Sequence, residues 1–265
     1  MKKFLLFCLC AALAVPAWGA DRVTVTVFAA ASMTESMNQI AELYKKAAPD
    51  VEIVYNFDSS GALKTQIQQG AECDVFISAG QRQMDQIDIT ANPSVNAEKL
   101  DFVLSGTRFN IVANQVALIV PKGKNAKNIN DFADVITDKV SIVALGNADV
   151  PVGQYSEEIY TNLGIWEKLK SQSKITYASN VKEALVQVAA AVVDCGVVYG
   201  TDAATSDGVE VAAFAPAGSH KPIVYPAAIL KRVKNEGAAR AFVDFLKGGE
   251  SANVFKSIGF AIPER

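Results

Sequence analysis

The sequence predicts an α/β protein of two lobes, each built on a parallel-core sheet, with a ligand cleft between them. Three observations lead there. Stretches of alternating apolar residues repeatedly give way to apolar residues at helical spacing. The order strand–helix–strand–helix–strand occurs twice, which requires parallel strands and right-handed crossovers each time. Two further extended stretches, QVALIVP (115–121) and KPIVYPAAIL (221–230), follow the two repeats and read as strands crossing between the lobes. The boundaries that result are 1–20 for a signal peptide, 21–115 and 222–265 for lobe I, and 116–221 for lobe II. The competing arrangement is one large doubly wound sheet.

Lys2 and Lys3 precede twelve apolar residues, Phe4 to Val15, and then Pro16 and small residues. A basic start, a short apolar core and a small-residue cut site describe a secretory signal peptide; crossing a bilayer takes ~20 apolar residues. Phe7 and Leu9, not small residues, precede Cys8 and Cys10, so a lipid-bearing cysteine is not expected. The mature protein is expected to be soluble and exported. Its first strand is VTVTVF, with Val23, Val25 and Val27 on one face. A tight FAAAS turn leads to a helix with Met33, Met37, Ile40 and Tyr44 in a stripe, Glu35 in its first turn and Lys45 and Lys46 in its last. VEIVYNF is the second strand, DSSG a turn, Ala62 to Gln69 a helix, and CDVFISA the third strand.

The second repeat runs VSIVAL (from Val140), the turn NADVPVG, a helix over about 154–163, KITYA, the turn SN, and a helix with Val181, Leu185, Val188 and Val192 on one face. CGVVYGTDA closes it. Between the repeats lies a long segment, 81–114, expected to include an extra surface loop around Thr90 to Leu100. Two helices (238–247 and 251–257) end the chain. Pro121 and Pro226 lie within the crossing strands, where an edge or hinge strand tolerates a missing donor.

Composition narrows the function. Half of the 265 residues are apolar and 20% are charged, with Lys+Arg 25 against Asp+Glu 28. With no basic excess there is no footprint for a phosphate backbone, and nucleic acid is excluded as a partner. The one histidine, His220, excludes a His-rich metal site, and four cysteines, two of them among the first ten residues, exclude a disulfide-dense scaffold or an all-cysteine zinc site. There is no nucleophile elbow, Walker loop or dinucleotide fingerprint, and no carboxylate pair placed for acid–base work. The chain is therefore read as a non-enzyme without a cofactor. Cys73 and Cys195 stand at the amino ends of closing strands in opposite lobes, too far apart to bridge and without a basic neighbour to activate them.

In open parallel sheets, ligands sit at the carboxyl ends of strands. Four strand-to-helix junctions lie there: Ser32, Ser59-Ser60-Gly61, Val150-Pro151-Val152-Gly153, and Ser179-Asn180-Val181. Each offers small side chains and first-turn N–H groups, which bind anions readily. The competing role for each serine is helix capping. None of the four junctions has a Lys or Arg, so an anion held there would be met by dipoles and hydrogen bonds. Tyr199 either aims its hydroxyl into the cleft or sits in the core. Asp58, Asp149 and Asp202 flank the cleft turns, and His220 reads as a loop residue.

These residues carry a resemblance. FAAAS, FDSSGALKTQI, CDVFISAG, DVPVGQY, SNVKEAL, GVVYGTDA, SHKPIVYPAAI and FKSIGF, in this order and spacing, resemble the periplasmic molybdate-binding proteins of ABC-type uptake systems over essentially the whole mature chain. The resemblance implies a type II periplasmic-binding fold, molybdate or tungstate as the ligand, and a membrane ABC permease as the partner of a monomeric receptor. It further implies ligand contacts from the hydroxyls of Ser32, Ser60 and Tyr199 and from the backbone N–H groups of Val152 and Val181, with molybdenum entering only as the bound oxyanion. Val152 departs from the alanine common in that family. The alternatives are another tetrahedral oxyanion such as sulfate, or an enzyme on the same fold. An amino-acid receptor would want an arginine, and a ferric receptor paired tyrosines, at the junctions.

Overall fold

In the computed structural model, residues 22–263 are described; the signal peptide expected over residues 1–20 lies outside them. Strand β1 (Val23–Ala30) carries the valine alternation and pairs in parallel with both β2 (Val51–Asp58) and β3 (Val75–Ile77). A short 3-10 turn, Ala31–Met33, leads from β1 into helix α1 (Thr34–Ala47). The expected stripe is its buried face: Met33, Met37, Ile40 and Tyr44 are all buried. Tyr44 meets Phe242 and Phe245 edge-on, with centroids 5.0 and 5.1 Å away, which fixes α1 against α8 (Glu236–Leu246). Burying each such side chain is worth roughly 1.5–3 kcal/mol.

The first sheet has the order β2-β1-β3-β10-β4, with β10 (Ile223–Ile229) antiparallel to both β3 and β4 (Phe109–Asn114). The second sheet repeats this plan. Its order is β7-β6-β8-β5-β9, from β5 (Val116–Pro121), β6 (Val143–Gly146), β7 (Ile175–Ala178), β8 (Cys195–Tyr199) and β9 (Val209–Phe214). β6 is parallel to β7 and β8, and β5 is antiparallel to β8 and β9. Each sheet is thus a parallel triplet extended by two antiparallel strands. The chain crosses between sheets twice: through Gln115, from β4 to β5, and through residues 215–222, from β9 to β10.

Helices α2 (Ser60–Gln68) and α3 (Gln81–Asp85) belong to the first lobe, as do α8 and α9 (Gly249–Ile258). Helices α4 (Pro151–Asn162), α5 (Trp166–Ser171), α6 (Val181–Ala189) and α7 (Gly200–Ala204) belong to the second. Helix α4 starts at Pro151, earlier than the periodicity indicates, because proline suits a first helical position. Among the described residues, no helix is long and apolar enough to cross a membrane.

Several expectations change. Val192 falls beyond the end of α6 and is 64% exposed, so it does not extend the apolar face of Val181, Leu185 and Val188. Neither proline lies on an edge strand: Pro121 ends β5, between β8 and β9, and Pro226 is within β10, between β3 and β4, where the pairing with β4 shifts register between Tyr225 and Pro226. A residue without an N–H interrupts the ladder, and the irregularity absorbs it. Strands β4 and β9 and helix α5, unforeseen in the sequence, complete the sheet edges and the outer layer. The segment around Thr90–Leu100 is a string of turns organised by buried Asn96, whose side chain donates to the carbonyls of Asp88 and Leu100 and accepts from the Leu100 N–H.

Candidate functional site

All four junctions open on one small, tight pocket, and Ser32, Ser60, Val152, Val181 and Tyr199 all line it. Ser32 arrives on the 3-10 turn after β1, Ser60 on the first turn of α2, and Tyr199 at the end of β8. Val152 and Val181 bring the first turns of α4 and α6, whose leading N–H groups a helix leaves without internal acceptors.

The hydrogen bonds separate capping from display. Helix α2 is capped by Ser59, whose hydroxyl accepts from the Ala62 N–H at 3.3 Å, and α6 by Asn180, whose side chain accepts from the Glu183 N–H at 3.0 Å. Neither Ser32 nor Ser60 makes a cap bond. Ser60 Oγ instead accepts from the Ala79 N–H at 2.9 Å, which leaves its own proton to donate. Ser32 Oγ lies 2.9 Å from the Tyr225 hydroxyl, which Asn114 Nδ2 also approaches at 3.3 Å. When Tyr225 donates to Ser32, the serine proton is released toward the pocket. Ser179, the other serine with capping propensity, donates to Glu183 Oε2 at 2.6 Å.

No Lys or Arg lines the pocket, and Asp58 is its one charged side chain. Asp58 Oδ1 accepts from the Ser59 N–H at 2.7 Å and from Asn180 Nδ2 at 3.4 Å. Burial holds the hydroxyls of Tyr199 and Tyr225 well above the usual tyrosine range, so both stay protonated and able to donate. The arrangement suits a small anion met by oriented dipoles and neutral donors.

The two lobes are pressed together around this space. Tyr199 donates to the Ala79 carbonyl at 3.4 Å across the cleft. Gly61 lies so close to Asp149 that a methyl group added there would come within 2.8 Å of Asp149 Cβ and 2.9 Å of its carbonyl carbon. Asp149 itself is not among the pocket-lining residues, and Asp202 is wholly buried behind the pocket, paired with Lys182 at 3.1 Å.

Sequence reasoning missed Tyr225 and Asn114, which orient Ser32. A tyrosine inside an otherwise apolar buried strand is the available signal, since its hydroxyl must find a partner. Tyr225 meets Tyr199 edge-on with centroids 5.8 Å apart, but its hydroxyl is committed to Ser32 and Asn114 and does not line the pocket. His220 is a loop residue whose Nδ1 lies 2.7 Å from the Lys221 carbonyl oxygen. Cys73 and Cys195 are buried and free, and burial pushes both thiols upward, away from the reactive thiolate.

Residues 25–261 match the family model described as bacterial extracellular solute-binding protein. A molybdate-binding protein of Haemophilus influenzae is 38% identical over 241 residues, covering 89% of each chain. A molybdate-binding protein of Escherichia coli is 38% identical over 250 residues, covering 92% of this chain and 91% of its own. Among solved structures, the periplasmic molybdate-binding protein of Azotobacter vinelandii superimposes with a TM-score of 0.78 at 25% identity, covering 91% of this chain and all of that one.

Proposed function

Since the chain belongs to the family of bacterial extracellular solute-binding proteins, we propose that it captures molybdate, and tungstate as its near-isostere, outside the cytoplasmic membrane. It then delivers the anion to an ABC-type permease, a reading supported by similarity to proteins named as substrate-binding parts of ABC transporters. The single observation that carries this reading is the convergence of four strand-to-helix junctions, with no Lys or Arg, on one pocket. A fully deprotonated tetrahedral oxyanion presents only acceptors, and such a pocket answers with donors: the hydroxyls of Ser32 and Ser60, the N–H groups of Val152 and Val181, and the Tyr199 hydroxyl once its proton turns from the Ala79 carbonyl to the ligand.

In this reading residues 21–115 and 222–265 form lobe I, residues 116–221 form lobe II, and the chain is exported by a signal peptide over residues 1–20 and acts as a monomer. The first lobe contributes Ser32 and Ser60, and the second contributes Val152, Val181 and Tyr199. A ligand touching both lobes favours their closure by its differential affinity for the closed state. Closure excludes water, and each donor–anion contact strengthens as the local dielectric falls. Each hydrogen bond to the charged ligand is worth about 1.5–3 kcal/mol, so five donors suffice for tight capture without an ion pair.

Phosphate tests the chemistry. At neutral pH it is largely protonated and needs an acceptor; the one acidic group in the wall is Asp58, whose Oδ1 already accepts from Ser59 and Asn180, so a phosphate that bound tightly would have to use Asp58 Oδ2. Calorimetry of the mature protein against molybdate, tungstate, sulfate and phosphate decides: molybdate and tungstate are expected to bind far more tightly than phosphate, and the comparison with sulfate, which is fully deprotonated like molybdate, tests the choice of ligand. Equal or tighter binding of sulfate or phosphate would overturn the assignment.

A further inference from the structure

One charged cluster at the rim of the cleft has no part in the ligand donors. Lys182, the second residue of α6, follows directly on Val181. Its Nζ lies 2.9 and 2.8 Å from the two carboxylate oxygens of Glu35, in the first turn of α1 and three residues after Ser32. Glu35 stands on the first lobe and Lys182 on the second. On its own lobe Lys182 is held from behind: Asp202 Oδ1 of α7 is 3.1 Å from Nζ, and Thr205 Oγ1 is 3.3 Å from it. Asp202 is wholly buried, whereas the Glu35 side chain is 38% exposed.

The asymmetry matters. Parting the lobes separates Lys182 from Glu35 but leaves Lys182 on Asp202, because those two move together. An exposed ion pair usually contributes little, since ordering two long side chains offsets much of the attraction. Here Asp202 has already ordered the lysine in the open protein, so pairing with Glu35 on closure has only the glutamate to immobilise. Resting on the reading of the cleft as an oxyanion receptor, we propose that Lys182, pre-positioned by Asp202, latches onto Glu35 when the lobes close and slows ligand release. Lys182 and Glu35 are positioning residues: they act on the ligand through the closed state, and the donors in the pocket remain those described above.

The test is a double-mutant cycle on the mature protein, with Glu35→Gln, Lys182→Gln and the double variant. Molybdate dissociation is followed by stopped-flow protein fluorescence, and melting is recorded with and without molybdate. The expectation is a dissociation rate raised about three- to tenfold in each single variant, the scale of a partly shielded ion pair. The double variant should be no faster than the faster single one. Melting of the ligand-free protein should fall only slightly with Glu35→Gln, by what loss of a charge in the first turn of α1 requires, and by less than melting of the loaded protein, since the open state lacks the pair. Rates that multiply in the double variant, a Glu35→Gln rate equal to wild type, or ligand-free melting lowered as much as loaded melting would each overturn the latch. Lys182→Gln strips buried Asp202 of its cation; should that variant not fold, Glu35→Gln and salt carry the test. Raising ionic strength from about 0.05 to 0.5 M shortens the Debye length severalfold and should speed release from wild type but not from Glu35→Gln; equal responses would refute the latch. A wild-type chain that took sulfate and refused molybdate would overturn the ligand assignment, and the same cycle read on sulfate would still decide the latch.

Discussion

Gly61→Ala probes closure more sharply than any substitution in the pocket itself. Gly61 is the second residue of α2, on the first lobe, and it faces Asp149 on the loop ahead of α4, on the second. A Cβ at position 61 would stand 2.8 Å from Asp149 Cβ and 2.9 Å from its carbonyl carbon, and nearer still to the carbonyl oxygen. Carbon atoms settle about 3.5–4.0 Å apart, so the lobes would have to part by about an ångström at that point. The N–H groups of Val152 and Val181 would be drawn away from a ligand held by Ser32 and Ser60. Losing two charge-assisted bonds of about 1.5–3 kcal/mol each weakens binding by about 3–6 kcal/mol, roughly 10²- to 10⁴-fold. The empty, open protein should not suffer, because alanine is favoured over glycine inside a helix by about 0.5–1 kcal/mol. Calorimetry with molybdate and thermal melting of the ligand-free protein read the two effects separately. Wild-type affinity in Gly61→Ala would refute the claim that ligand binding requires the close approach of Gly61 to Asp149.

Three further outcomes are expected. Ser60→Ala should weaken molybdate binding about 10–150-fold, while Ser59→Ala, which removes only the cap of α2, should lower stability by about 0.5–2 kcal/mol with affinity near wild type; the reverse pattern in calorimetry and melting would exchange the roles of the two serines. Asp58→Asn should strengthen molybdate binding, because it removes a negative charge from the pocket wall; a loss of affinity would mean that the carboxylate serves chiefly to hold the Ser59 N–H and Asn180 in place. Burial, opposed by Lys182, pushes the Asp202 carboxyl up to about 6. The folded state therefore binds this proton more tightly than the unfolded one, so the associated stability is present below about pH 4 and is lost as pH rises through about 6, amounting to about 3 kcal/mol. Denaturation of wild type and Asp202→Asn across pH 4–7 should show that differential decline, and parallel curves would refute it.

Much of the fold was legible because the signals are local. Alternating valines mark β1, the 33-37-40-44 stripe marks α1, and the carboxyl ends of the parallel strands mark the pocket before any coordinate is known. What stayed hidden depends on pairing or contact across the cleft. Strands β4 and β9 show no clean alternation, and their place follows from β10 and β5 lying beside them. The sequence marks Ser32, Ser60 and Ser179 alike as candidate caps; only the hydrogen bonds assign the capping of α2 to Ser59 and of α6 to Asn180 and leave Ser60 free to donate. Tyr225 orients Ser32 from 193 positions along the chain, and no spacing rule reaches that far. The Glu35–Lys182 pair was invisible for the same reason: each residue reads as an ordinary charge in the first turn of a helix.

The two lobes differ in how they can be born. The second sheet is made from one uninterrupted run of chain, Val116 to Phe214, and can assemble as soon as that run is available. The first sheet cannot. Strand β10 lies between β3 and β4, yet it is the last strand in sequence, so until residues 223–229 arrive the sheet has a gap next to its middle strand and two unpaired ladders. During synthesis β1, β2 and β3 can pair with one another, but β4 has no neighbour in the sheet until β10 arrives, more than a hundred residues later. Strand β10, which fills that gap, also brings the Tyr225 that orients Ser32. Completion of the binding pocket is thereby tied to completion of the chain, and a truncated product would be left with an unfinished sheet and no working receptor.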